Sequence, residues 1–139
     1  MLQAGAALGA ALLLPSARAC EFVTSNFKLI HPWARATAAD ATTAAVCMAF
    51  EEVTESDRLI GAQTKVAERA ELGGAGASPG VNFLIPEGQS SALSESGTYL
   101  LLVGLRMPLE VGRSYPMTLI FQKAGSVNAV LSIDYARFS

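Results

Sequence analysis

The sequence predicts an all-β domain, an antiparallel Greek-key β-sandwich, on three observations. From Phe22 onward, short runs of β-branched and aromatic residues are broken by turn residues. No window longer than about ten residues holds the apolar period of a helix. Nine candidate strands fit within about 115 residues, the density of a two-sheet sandwich.

The expected strands are 22–30, 33–37, 44–53, 58–64, 67–72, 81–85, 98–105, 117–122 and 127–135. In the third, alternation puts Val46, Met48 and Phe50 on one face and Cys47 on the other. In the seventh, Tyr99, Leu101 and Val103 share one face, and Leu100 and Leu102 the opposite one. Pro86-Glu87-Gly88, Ser96-Gly97 and Val111-Gly112 punctuate the chain, and Lys123-Ala124-Gly125-Ser126 suits a hairpin connection. The stretch Gly73-Gly74-Ala75-Gly76-Ala77-Ser78-Pro79-Gly80 reads as a flexible loop without the Lys-Ser/Thr ending of a phosphate cradle. The expected core comprises Phe27, Trp33, Met48, Phe50, Leu59, Leu100, Leu102, Leu119, Phe121 and Ile133.

Ahead of this domain, Ala4 to Leu14 is an unbroken apolar run followed by Pro15-Ser16-Ala17-Arg18-Ala19. As a helix, the run would span only about 16 Å of a hydrocarbon core about 30 Å thick, so it reads as the apolar region of a signal peptide, residues 1–19, and not as a membrane span. The expected location is periplasmic or secreted, with residues 20–139 forming one domain. Cleavage after Ala19 makes Cys20 the first mature residue. Three uses of that thiol stay open: lipid attachment, a disulfide to Cys47 worth roughly 3 to 4 kcal/mol, or a free thiol. The formal net charge is only −2, with 10 basic and 12 acidic residues, which excludes an electrostatic nucleic-acid binder.

Four segments carry a family resemblance. They are Ile30-His31-Pro32-Trp33-Ala34-Arg35-Ala36-Thr37; Asp57-Arg58-Leu59-Ile60-Gly61-Ala62 with Glu71-Leu72; Ile85-Pro86-Glu87-Gly88 through Leu93 to Gly97 and on to Tyr99–Leu105; and Pro108-Leu109-Glu110-Val111-Gly112 with Pro116 to Gly125. In this order they resemble the periplasmic copper chaperones of the PCu(A)C type. The resemblance implies a cupredoxin-like or immunoglobulin-like sandwich. It also implies copper as cargo, held as Cu(I) and sometimes Cu(II), and a partner among cytochrome oxidase subunits or assembly factors at the CuA centre. In that family the ion is held by a His and Met pair just after the Glu-Leu dipeptide, a Met beyond the glycine-containing loop, and a His-x-Met triplet on the strand entering Gly104. Thioether and imidazole donors suit Cu(I).

This chain substitutes those positions. Gly73 follows Glu71-Leu72, Gly74, Ala75 and Gly76 offer no thioether, Asn82, Phe83 and Leu84 stand in the short loop, and Tyr99 and Leu101 replace His and Met. The remaining donors are Cys20, Cys47, His31 and Met107, with Met48 and Met117 expected in the core. No nucleophile elbow, His pair or Cys quartet accompanies His31, and Glu51 and Glu52 alternate across a strand, so no enzyme is expected. Two functions remain. One is copper handling by a chaperone-family protein. The other is an interaction module without metal, using Tyr99, Leu101, Gly74 and Gly76 as its partner surface.

Overall fold

The computed structural model describes residues 21–134. The expected signal peptide and Cys20 lie outside the described residues. Ten strands make up the ordered elements: β1 Glu21–Val23, β2 Lys28–Arg35, β3 Thr43–Glu51, β4 Asp57–Gln63, β5 Ala67–Gly74, β6 Phe83–Ile85, β7 Ser91–Leu93, β8 Thr98–Leu105, β9 Ser114–Phe121 and β10 Gly125–Asp134. They form one curled sheet in the order β5-β8-β3-β2-β10-β9-β4-β6, with β1 on β2 and β7 on β3. The all-β sandwich expected from the sequence is the fold.

Of the differences in strand boundaries, two near the start of the described chain have a clear local reason. The expected strand 22–30 is two strands, because Thr24-Ser25-Asn26 closes a turn: the Thr24 hydroxyl accepts the amides of Asn26 and Phe27 at 3.0 and 3.1 Å. β1 then folds back antiparallel onto β2, with Glu21 opposite Ile30. Conversely, the break expected at His31-Pro32 is absent. β2 runs through it with a register shift between Ile30 and Trp33, and His31 takes a left-handed φ of 53°. Such a bulge adds a residue without ending the strand. The three-residue β7 escapes a periodicity reading altogether. One ladder departs from the antiparallel expectation: β10 pairs parallel with β2, Ser132 opposite Trp33.

The inward face of the sheet carries the core. Leu29, Val46, Phe50, Leu59, Leu100, Leu102, Leu119, Phe121 and Leu131 are buried, as are Phe27, Met48, Met117 and Ile133. Phe27 meets Phe50 and Phe121 edge-on, with ring centres 5.6 and 4.9 Å apart, the arrangement the ring quadrupoles favour. Trp33 is a correction. The bulge turns it to the face opposite this core, across from Cys47, and it is only half-buried there.

Asp57, at the start of β4, is a buried carboxylate the sequence did not single out. It accepts the backbone amides of Arg58, Lys123 and Ala124 at 2.8, 2.7 and 2.9 Å, and the Asn26 amide at 3.2 Å. It thereby ties the β9–β10 hairpin turn and the turn before β2 to β4. Burial pushes its carboxyl up, but the three backbone donors and Asn26 together outweigh that and hold it below the usual range. A carboxyl held below its unfolded value contributes stability above that value and loses it as the pH falls through the folded one. Acid titration of urea stability is therefore expected to fall below about pH 4 in the native protein. Asp57→Asn should be less stable at neutral pH, by about 2 kcal/mol, and should lose part of that acid dependence.

Candidate functional site

β5 and β8 hold the positions where the family resemblance places copper ligands. Their register sets Gly73 opposite Tyr99, Leu72 opposite Leu100 and Glu71 opposite Leu101. The alternation read from the sequence is the one observed. Leu100 and Leu102 are buried inward, while Tyr99, Leu101 and Val103 stand half-buried on the other face.

The Tyr99 ring occupies the space that a side chain at position 73 would need. A Cβ on Gly73 would run into the ring edge at Cε1, with Cζ and Cδ1 at 3.0 and 3.1 Å. A Cβ on Gly74 would meet Tyr99 Cε2 at 2.9 Å and collide with the Gly97 carbonyl, and Gly74 also has a φ of 80°. The ring lies against two glycines: a side chain at 73 would require the ring to move, and one at 74 would also meet the Gly97 backbone in a left-handed conformation. At Gly76 a Cβ would come within 2.6 Å of the Thr98 hydroxyl.

The glycine-rich stretch is correspondingly more structured than its composition predicted. Gly73 and Gly74 belong to β5. Beyond them, the chain turns back so that Leu72 and Ser78 exchange amide-carbonyl bonds of 3.1 and 3.0 Å, and the Ala75 amide donates to the Gly97 carbonyl at 3.2 Å. Of the residues expected as a partner surface, Gly74, Tyr99 and Leu101 lie on the paired strands β5 and β8, and Gly76 lies against Thr98 in the turn beyond.

This rim does not fit Cu(I). Glycine supplies no donor, leucine supplies hydrocarbon, and a phenol is a poor partner for a soft monovalent ion. Among the described residues, no group of three or more His, Cys, Asp and Glu side chains is placed to hold a metal ion.

The other candidate donors are dispersed. Met107 is 44% exposed and lies beyond the end of β8 opposite to the one that carries Tyr99. Cys47 and His31 line one surface cavity of about 560 Å³, together with Ile30, Trp33, Ala49 and Ala92. The His31 Nε2, however, lies 3.1 Å from Asp134 Oδ2 on β10, on the far side of β2 from Cys47. Cys47 is a buried free thiol. Burial above all, then the Glu95 carboxylate, push it up to about 11 against the Glu95 backbone donor and Arg35, which disfavours the thiolate a metal would need. Glu95, on the cavity lining, is held by Arg35 in a two-pronged ion pair of 2.7 and 2.8 Å. Glu51 and Glu52 are exposed, and Glu52 pairs with Lys28 at 3.1 Å.

The curled ten-strand sheet and its β5–β8 rim define a PCuAC-type domain. Residues 27–133 match the family model described as "Putative lipoprotein LpqE-like", and the chain belongs to that LpqE-like family. The copper-bound PCuAC domain from PmoF2 is similar at 26% identity and a TM-score of 0.73, over 83% of this chain and 97% of that one. The apo PCuAC domain from PmoF1 is similar at 29% identity and a TM-score of 0.75, over 83% and 98%. The Cu(I) form of DR1885 from Deinococcus radiodurans shares the fold at 20% identity and a TM-score of 0.63, over 91% and 87%. No curated protein matches the chain.

The interlock of Tyr99 with Gly73 has a measurable consequence. Gly73→Ala is expected to destabilise the protein by about 2 kcal/mol through overpacking against the ring. In a Tyr99→Ala background the same substitution should cost far less. A double-mutant cycle by urea unfolding reads the difference as coupling between the two positions.

Proposed function

We propose that this chain is an exported, non-enzymatic copper-chaperone-family protein that serves copper handling by docking a partner, without carrying Cu(I) at the family's metal rim. The Tyr99 ring seated against Gly73 and Gly74 carries this reading, because it fills the space that a side chain at position 73 would need, the position where the resemblance implies the first His. The family resemblance supplies the partner class, a cytochrome oxidase subunit or an assembly factor acting at the CuA centre. The surface offered to it is the rim of Tyr99, Leu101, Gly74 and Gly76. A phenol ring fixed against glycine backbone loses little conformational freedom on contact, which favours it as an anchor.

Export is supported by the apolar run from Ala4 to Leu14 and by the family's description as lipoprotein-like. In that setting Cys20 is the thiol that lipid attachment would use, and the location is periplasmic or membrane-tethered on the outer side.

A second reading, in which the chain itself carries Cu(I), has one observation in its favour: Cys47 and His31 border the same cavity. Titration of the protein with Cu(I) against a chromophoric chelator separates the two. The docking reading expects the chelator to keep its copper at one equivalent of protein. Binding tighter than about 1 μM overturns it. Its loss in Cys47→Ala or His31→Ala would then place the ion in that cavity.

A further inference from the structure

We propose that the free edge of β5, at Glu68 and Ala70, docks an extended segment of a partner protein with an acidic residue at its centre, which joins the sheet as an extra strand. β5 ends the sheet order, and among the described residues it is laddered along one side only, to β8. In an antiparallel ladder, successive residues point their backbone groups to alternate sides of the strand. Leu72 fixes which residues point outward: its amide and carbonyl bond Ser78, on the side away from β8, at 3.1 and 3.0 Å. Ala70 and Glu68, two and four residues back, therefore present their amides and carbonyls on that same free side. The site lies toward the other end of β5 from Gly73 and Gly74, so it stands whether or not the Tyr99 rim docks a partner.

The chain begins to fill this edge and then leaves it. Ser78 opposite Leu72 is an isolated antiparallel bridge. The next bonded position, opposite Ala70, would fall to Gly80, but the chain turns at Pro79, and the Gly80 carbonyl accepts the Ser78 hydroxyl at 2.7 Å. Beside Glu68 and Arg69 the edge borders a cavity of about 140 Å³, with Ala62, Gln63 and Thr64 also on its lining. Open backbone groups in line with an existing bridge are what strand addition uses.

Side chains select the occupant. Arg69, between the two bonding residues, has its side chain 59% exposed, against 24% for its ion-pair partner Glu71. The Glu68 side chain lies back over β8, where a Cβ on Gly104 would meet its Cγ and Cδ at 2.8 Å. The exposed charge at the centre of the edge is thus a guanidinium, and a strand that bonds both Glu68 and Ala70 sets its middle residue opposite it. A carboxylate there is attracted. A second copy pairing through the same two residues would set Arg69 against its own counterpart, and like charges directly opposite destabilise.

The test titrates isotope-labelled protein with a blocked heptapeptide of alternating threonine and valine around a central aspartate, and with its central-lysine counterpart. Hydrogen exchange of the Glu68 and Ala70 amides is read in each case. The proposal expects the aspartate peptide to slow both amides about tenfold, and the lysine peptide to bind about fivefold more weakly. Arg69→Glu should reverse that preference. Ala70→Pro removes a donor that β8 does not use, a change an edge strand tolerates, and should abolish binding. If that variant folds poorly, the reversal by Arg69→Glu decides the matter. Unchanged exchange of both amides with either peptide would overturn the proposal, as would equal binding of the two peptides. So would slowing that grows with protein concentration in the absence of peptide, which would make a second copy the occupant.

Discussion

The β5–β8 register is the constraint on which the functional reading rests. By placing Gly73 opposite Tyr99, it decides that one large ring and two glycines fill the rim together. Either partner alone would leave a defect. A glycine pair in a strand gives up side-chain packing, and a tyrosine with side chains opposite it would have to stand off the sheet. Together they close the surface in the way that cross-strand aromatic residues compensate for strand glycines. The soft donors that Cu(I) requires are therefore missing, and the room for them is taken as well.

The rest of the sandwich is held by contacts that use none of the family's ligand positions. Edge-on aromatic packing of Phe27 with Phe50 and Phe121 anchors the interior, and the Asp57 carboxylate joins three separate backbone segments at one end. In the sheet order, Asp57 on β4 and Phe121 on β9 lie away from the β5–β8 pair, while Phe50 is on β3, next to β8. The rim could diverge while the scaffold kept the PCuAC architecture, and 26 to 29% identity to two PCuAC domains is accompanied by TM-scores of 0.73 and 0.75. Fold likeness and retained chemistry are separate questions for this chain.

Much of this was legible in the sequence because it depends on alternation. The opposite faces of Tyr99 and Leu100, the burial of Met48 with Phe50, and the hairpin at Lys123–Gly125 all follow from short-range patterns that the fold respects. What was not legible depends on distant partners or on a local break in the period. Trp33 was expected in the core, and the bulge at His31 turns it to the outer face. Asp57 looks like an ordinary polar residue at a strand start, since its partners Lys123 and Ala124 are far along the chain. The glycine run looked flexible from composition, and only the pairing of Leu72 with Ser78 and the contact with Gly97 fix it.

The central claim is that the Tyr99–glycine rim excludes copper by occupation. Backbone amide resonances of Gly73, Gly74 and Tyr99, followed while Cu(I) is added to isotope-labelled protein, test it most directly. The account predicts that these three signals stay in place and keep their line widths through several equivalents. Saturable shifts of all three at one equivalent would contradict it.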